Sequence, residues 1–377
     1  DPDAATLFAE SILDLNPWNQ WTHDGKPNPG TLEAVATLER VLKQHPEHPG
    51  ANHFYIHAVE ASDNPARALA SAKQLETLVP GAGHLVHMPS HIYARTGRYA
   101  DALERNRVAV AVDEKYIAEQ KPEGMYPLMY YNHNIQFIWF AATMEGRSEE
   151  ALAAARKMTG NLPPETLAQM PMLELVPPYP VMTLVRFGRW DEALTEPLPP
   201  ASERYASGMF HYARGVALAA KGQFDSATAE LDSVRALAAS VPVDMMISIN
   251  WARPLLRVAA NALAGEIATR QGETEEGVRL LRLAVATEDS LHYDEPPTWC
   301  YPVRHTLGAA LLKAGRAQDA EAVYRADLRR HPGNGWSLNG LTQALRVEGR
   351  AKEAGVAEAN FKRAWAHADV KLAASAY

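Results

Sequence analysis

Apolar residues recur along the chain at the helical spacing of three and four, in Ala-, Leu-, Glu- and Arg-rich windows that run nearly end to end. Alternation of the kind that makes a half-buried strand is scarce, so the pattern predicts an all-α protein. A recurring turn punctuates the helices. It reads Gly97-Arg98-Tyr99-Ala100-Asp101-Ala102-Leu103, then Gly146-Arg147-Ser148-Glu149-Glu150-Ala151-Leu152, then Gly188-Arg189-Trp190-Asp191-Glu192-Ala193-Leu194. Shorter versions start at Gly222, Gly272, Gly315 and Gly349, and Asp63-Asn64-Pro65-Ala66-Arg67-Ala68-Leu69 is a variant without the glycine. From position 63 the steps are 34, 49, 42, 34, 50, 43 and 34 residues.

Gly-x-aromatic-x-x-Ala-Leu at a 34-residue period, with Pro46, Pro80 and Pro332 after the second helix of a pair, resembles the tetratricopeptide repeat. The physics of the motif agrees. The glycine closes the first helix in a left-handed cap, the aromatic seats the turn, and the small alanine lets two antiparallel helices approach. The resemblance covers roughly residues 30–370 and implies a right-handed α-solenoid of antiparallel helix pairs. Proline-rich joints, Pro163-Pro164 to Pro171, Pro177-Pro178 to Pro180 and Pro197 to Pro200, interrupt the regular stack. They predict a bend between an N-terminal block, 1–160, and a C-terminal block, 161–377.

The histidines fall in register with the repeat. His53 and His57 recur 34 residues later as His87 and His91, and His84 precedes the second pair. In tetratricopeptide folds the first helix of each pair lines the concave groove. Positions 13, 10, 6, 3 and 2 residues before the turn are the family's usual ligand-facing ones. His84, His87, His91 and Arg95 hold such positions before Gly97. His53, His57 and Glu60 hold them before Asp63, and His133 and Gln136 before Gly146. Three adjacent repeats thus aim six of the chain's 14 histidines and one carboxylate at one groove. Met88-Pro89 interrupts this stripe, because proline lacks an N–H. A helix beginning at Pro89 would leave His84 and His87 on an approach turn. His45 and His48 read as surface or capping residues, and His305 shares the groove offset far along the chain.

Composition narrows the chemistry. A net charge of −8, from 37 basic and 45 acidic residues, gives no electrostatic footprint for nucleic acid. No run of 18 apolar residues predicts a membrane span. The single cysteine, Cys300, excludes an internal disulfide framework, a cysteine-based zinc site and covalently attached haem. No nucleophile elbow, phosphate-binding loop or dinucleotide-binding glycine motif occurs. The chain opens Asp1-Pro2-Asp3-Ala4, a helix start with no polar cap expected ahead of it. That suggests repeats or an export signal upstream and leaves bacterial cytoplasm and periplasm both open.

Imidazole ligands without thiolate suit copper, iron or zinc rather than magnesium or calcium. His53, His57, His84, His87, His91 and His133 are the candidate ligands, for one ion held by three or four of them or two ions with about three each. His-x-x-x-His occurs twice without the zinc-protease glutamate. Asn52 and Asn134 are candidates to orient the imidazoles, alongside Glu60, Tyr130, Asn132 and Gln136. Glu60 is the candidate general base, with Tyr130 beside it, since a carboxylate near a metal can take a proton from bound water. Arg95 and Arg186 are candidates to hold an anionic substrate, Gln136 to contact it, and Tyr126, Tyr130 and Trp139 to roof the pocket. Trp18 and Trp21 lie in an irregular loop that covers the groove mouth or plugs the solenoid end. The histidine block is also similar to one in a bacterial subgroup of tetratricopeptide proteins with no settled activity. There the last segment reads His-Asn-x-His, and Gln136 stands in its fourth place. The leading expectation is a copper or iron oxidoreductase acting on a small organic molecule or peptide in the groove. A zinc hydrolase using Glu60, and a non-catalytic peptide- or metal-binding scaffold with a protein partner on the C-terminal repeats, stay open beside it.

Overall fold

The computed structural model describes residues 1–377, except that the side chain of Pro164, in the first proline-rich joint, lies outside the described residues. The chain forms two compact units, Asp1–Ala142 with His292–Pro296, and Thr143–Leu291 with Pro297–Tyr377. The division falls earlier than the proline-rich stretch. The reason is local: residues 164–175 fold as short helical turns within the second unit. There the buried Glu174 carboxylate accepts the backbone N–H groups of Tyr205 and Ala206.

The first unit is built from α1 (Pro2–Asp14), α2 (Thr31–Gln44), α3 (Pro49–Glu60), α4 (Leu69–Leu78), α5 (Gly83–His87), α6 (Pro89–Arg95), α7 (Tyr99–Gln120) and the start of α8 (Tyr131–Glu145). Sequential helices pack as pairs, α1 with α2, α3 with α4, and α5 and α6 together against α7. Leu13, Leu38, Ile56, Leu75, Met88, Ile92, Leu103, Ile135 and Phe137 fill the core between them. Asp1 caps α1, its carboxylate accepting the Ala4 N–H at 3.0 Å, so the first helix does carry a polar cap. His48 caps α3 through Nδ1, which accepts the Ala51 N–H.

The second unit continues with α9 (Ser148–Gly160), α10 (Pro164–Gln169), α11 (Tyr179–Arg186), α12 (Trp190–Thr195), α13 (Arg204–Ala220) and α14 (Phe224–Ser240). A two-residue antiparallel ladder follows, pairing Met246 with Trp251 and Ile247 with Asn250. The remaining helices are α15 (Ala252–Gln271), α16 (Thr274–Asp289), α17 (Val303–Lys313), α18 (Ala317–Arg330), α19 (Gly335–Val347) and α20 (Ala351–Ala364). Among the described residues, no helix is long and apolar enough to cross a membrane.

The repeated turn is a real structural unit. Gly97 takes φ +76°, and the Arg98 N–H returns to the Tyr93 carbonyl at 2.7 Å, closing α6. Gly188, Gly222, Gly272, Gly315 and Gly349 close their helices by the same backbone return. The variant at Asp63 has no such glycine, and Pro65–Ala68 makes a 3-10 turn instead.

A side chain at position 97 would have to enter the left-handed region, at about 1–2 kcal/mol. Gly97→Ala should therefore lower unfolding free energy by about that amount in urea titrations, whereas Gly81→Ala, which meets open space without positive φ, should stay near wild type.

Candidate metal centre

The histidines sit on four helices of the first unit: His53 and His57 on α3, His84 and His87 on α5, His91 on α6 and His133 on α8. Pro89 does start a new helix, as its missing N–H requires, but α5 is itself helical and Met88 joins the two in right-handed conformation. His87 and His91 consequently stay one turn apart and face each other. The packing sorts the six rings into two triads, His53, His57 and His84, and His87, His91 and His133. Within each triad one nitrogen per ring lies within 4.8 Å of the others. The triads adjoin, since the His57 and His91 ring centroids are 5.1 Å apart.

Glu60 joins them. Its Oε1 accepts from His57 Nδ1 and its Oε2 from His91 Nδ1, both at 2.7 Å, and the carboxylate is 2% exposed. Tyr293, from the His292–Pro296 segment of the same unit, donates its hydroxyl to Oε2 at 3.2 Å. Asn106 on α7 fixes His87. Its amide nitrogen is committed to Ser90 Oγ and the Ala102 carbonyl, so Oδ1 faces His87 Nδ1 at 2.7 Å and accepts that N–H.

These acceptors decide the tautomers. With Nδ1 protonated on both rings, a neutral His87 and a neutral His91 each carry a lone pair on Nε2. Those two atoms face each other at 2.8 Å. Two lone pairs at that separation repel, and a cation between them removes the repulsion. His53 and His84 also bring their Nε2 atoms within 3.2 Å, but His84 Nδ1 is buried with no partner, so no acceptor fixes the tautomer there. Burial disfavours the charged form of His53, His84, His87 and His133. Together with neighbouring imidazoles it pushes His53 down to about 2 and His84 to about 3, and His87 and His133 well below their ordinary value. Burial also lowers His91 against the opposing pull of Glu60. Burial alone would raise Glu60, but the facing His91 and His57 hold it well below the usual carboxylate range.

A second carboxyl stands beside the first. Glu295 Oε1 lies 4.0 Å from His57 Nδ1 and 3.9 Å from His91 Nδ1, and it accepts the Trp18 indole N–H at 2.7 Å. Burial, and then the charge of Glu60, push Glu295 well above its ordinary value. The pair therefore divides its roles, Glu60 ionised and Glu295 protonated. With His57 and His91 these carboxyls form a third group whose candidate ligand atoms lie within 4.8 Å.

Several expected roles change on this geometry. Glu60 Oε1 accepts one imidazole N–H, and Oε2 accepts an imidazole N–H and the Tyr293 hydroxyl, so the carboxylate orients two of the rings. Arg95 directs Nε to the Glu60 carbonyl at 2.8 Å and Nη2 to the Ser62 carbonyl at 3.3 Å, closing the end of α3 rather than facing a substrate. Arg186 belongs to the second unit. It is buried under Trp336, 3.5 Å from the ring centroid, with Nη2 on His305 Nδ1 and Nε buried without a partner, so it is not among the residues around the histidine triads. Asn52 ties down the turn before α3 through the Pro46 and His48 carbonyls. Asn134 donates to Asp113, not to an imidazole. Gln136 is half-buried on α8. Tyr130 packs edge-on to His84 at 5.0 Å, and Tyr126 stacks on Tyr130. Trp139 is a buried core residue. Trp21 anchors its loop on the Ala58 carbonyl of α3. Asn106, Tyr293 and Glu295 carry no signal in the repeat register. The first lies on a second helix of a pair, and the other two on an insertion between α16 and α17.

The depressed imidazoles make the metal-free protein sensitive to acid. An unfolded histidine takes up its proton near pH 6.5, whereas these folded ones do not until far lower pH. The unfolded state thus binds more protons below pH 6.5, and stability is full above that point and lost as pH falls. Each such ring contributes about 1.4 kcal/mol per pH unit in that window. Melting temperatures of metal-free protein should drop steeply from pH 6.5 to 4.5, and His53→Phe should flatten the slope. A melting temperature constant across that range would contradict the assignment.

No family model matches the chain, and no curated protein matches it. Solved structures of helical-repeat proteins do. The human IFIT1 dimer with m7Gppp-AAAA is 13% identical at a TM-score of 0.40, covering 96% of this chain and 72% of that one. The P58(IPK) TPR domain is 12% identical at 0.27, covering 96% and 93%. Naa15/Naa10 bound to HypK is 12% identical at 0.27, covering 94% and 72%. Likenesses this remote carry nothing about a site or an activity. By its own glycine-closed turns and paired helices, the chain is an all-α, tetratricopeptide-like helical-repeat protein.

Proposed function

We propose that the first unit binds two transition-metal ions, one in each imidazole triad, and works as a redox metalloenzyme with copper as its metal. The observation that carries this reading is the pair of Nε2 atoms on His87 and His91, 2.8 Å apart, with both Nδ1 protons already committed to Glu60 and Asn106. Such a pair is built around a cation. Neutral imidazoles with no thiolate suit copper. Non-haem iron(II) sites commonly add a direct carboxylate ligand; Glu60 is occupied by imidazole N–H groups and burial favours the protonated form of Glu295, so iron ranks second. The same occupation of Glu60 weighs against a zinc hydrolase that would need it as base. The half-exposed Tyr130 and the partly exposed His57 mark the side from which a small organic molecule or a peptide side chain reaches the first triad.

Metal analysis of protein made without a histidine tag, in medium replete with copper, iron and zinc, tests the reading. The expected result is two copper ions per chain. His57→Ala should reduce this to about one by emptying the first triad, and His91→Ala should do the same through the second. Glu60→Gln should lower occupancy roughly 10–100-fold in affinity terms, as loss of an orienting partner does. Metal-free wild type would sink the enzyme reading and leave a non-catalytic repeat scaffold. Stoichiometric zinc under these conditions would turn it toward hydrolysis.

A further inference from the structure

We propose that Tyr116, Tyr126 and Tyr130 form a relay that carries single electrons between solution and the metal held by His53, His57 and His84, with Asp113 as the proton acceptor of Tyr126. The inference rests on the redox-metal reading above and deepens it by giving the centre an electron route. Four rings stand in series. His84 meets Tyr130 edge-on at 5.0 Å, Tyr130 stacks on Tyr126 at 5.6 Å and 21°, and Tyr126 meets Tyr116 edge-on at 5.6 Å. The series begins in the triad and ends on α7 at the surface, where Tyr116 is 43% exposed.

Packing alone does not account for the arrangement. Tyr130 is 44% exposed, so neither it nor Tyr116 contributes the burial that normally justifies a large aromatic. Tyr126 and Tyr130 sit at the two ends of a single π-helical turn, Tyr126–Tyr130, immediately before α8. Such turns are rare, cost regular hydrogen bonding and concentrate at functional sites. Here the turn brings the two phenols into a stack that ends against a ligand ring.

Asp113 supplies the second, independent observation. It is fully buried on α7 and pairs with no cation. Oδ1 accepts the Tyr126 hydroxyl and Oδ2 the Asn134 amide, each at 2.7 Å. Gly83 keeps room for it, since a Cβ there would fall 1.9 Å from Asp113 Oδ1. Tyr130 and Tyr116 serve as rings that the electron crosses, but a phenol that loses an electron becomes strongly acidic, so the tyrosine that holds the radical needs a base already in contact. Tyr126 has one.

The step balances. Tyr126 gives up one electron, which passes through Tyr130 and His84 to the oxidised metal ion and reduces it by one. The Tyr126 O–H bond breaks and its proton moves along the existing hydrogen bond to the Asp113 carboxylate. A neutral tyrosyl radical and a carboxylic acid remain. A one-electron donor in solution refills Tyr126 through Tyr116, and Asp113 returns the proton.

The test uses the full, metal-loaded chain with ferrocyanide as electron donor. Reduction of the metal is followed by stopped-flow absorbance and the radical by freeze-quench electron paramagnetic resonance. Tyr126→Phe keeps the ring stack but removes the proton-coupled step. It should retain wild-type metal content, slow reduction at least tenfold and abolish the tyrosyl signal. Asp113→Asn should slow reduction similarly, and Tyr116→Leu, which removes the ring at the exposed end where folding is not at stake, should slow it too. Unchanged rates in Tyr126→Phe and Tyr116→Leu with full metal content overturn the relay and leave the rings as a stacking platform. Loss of metal from Tyr126→Phe while Tyr116→Leu reacts normally also overturns it, by assigning Tyr126 a structural role. Wild type without metal overturns the reading of the centre and the relay together.

Discussion

Two buried imidazoles facing each other nitrogen to nitrogen are the constraint on which the rest of the first unit depends. His87 and His91 can hold their Nε2 atoms 2.8 Å apart only because Asn106 and Glu60 have claimed the protons at Nδ1. Burial opposes the uptake of a proton by either ring, most strongly at His87, whereas at His91 the facing Glu60 carboxylate offsets part of that cost. A cation held between the two rings, as proposed, would relieve that contact. Glu60 makes it a single centre, because one carboxylate orients one ring from each triad.

The repeat scaffold supplies the means. A 34-residue period places His53 and His57 on α3 in the same helical register as His87 and His91 on α5 and α6. The partner helix α7 then contributes Asn106 and Asp113 from behind, where glycine at position 83 leaves space for the carboxylate. Side chains carried on packed helices are held more precisely than side chains on loops, so imidazoles drawn from four helices keep a fixed spacing.

The second unit offers an instructive contrast. His305 occupies the same offset from its turn glycine as His87 does from Gly97. Yet its Nδ1 accepts from Arg186 at 2.7 Å and its Nε2 faces Asp327 at 2.9 Å, while Asn334 and Ser337 complete the buried network. Both ring nitrogens are committed to protein partners and no lone pair is left over. The same residue at the same register position is a ligand candidate in one place and an internal tie in the other. The difference lies in whether a second imidazole or a charged side chain faces it.

By itself the sequence determined the all-α class, the turn register and the identity of the clustered histidines. Glycine-closed turns and period-34 histidines are local or nearly local signals, set by backbone sterics and helix geometry that three or four neighbouring residues already specify. Only the tertiary structure decided how the six rings divide into triads, which acceptors face His57, His87 and His91 at Nδ1, and that one carboxylate, Glu60, reaches a ring of each triad. It also removed Arg95 and Arg186 from the substrate-binding role and brought in Asn106, Tyr293 and Glu295. Those outcomes depend on contacts between residues up to 277 positions apart, as between Trp18 and Glu295, and on the burial that such packing creates. Tautomer and charge state follow from what lies across the gap, and a register count along one helix does not reach across it.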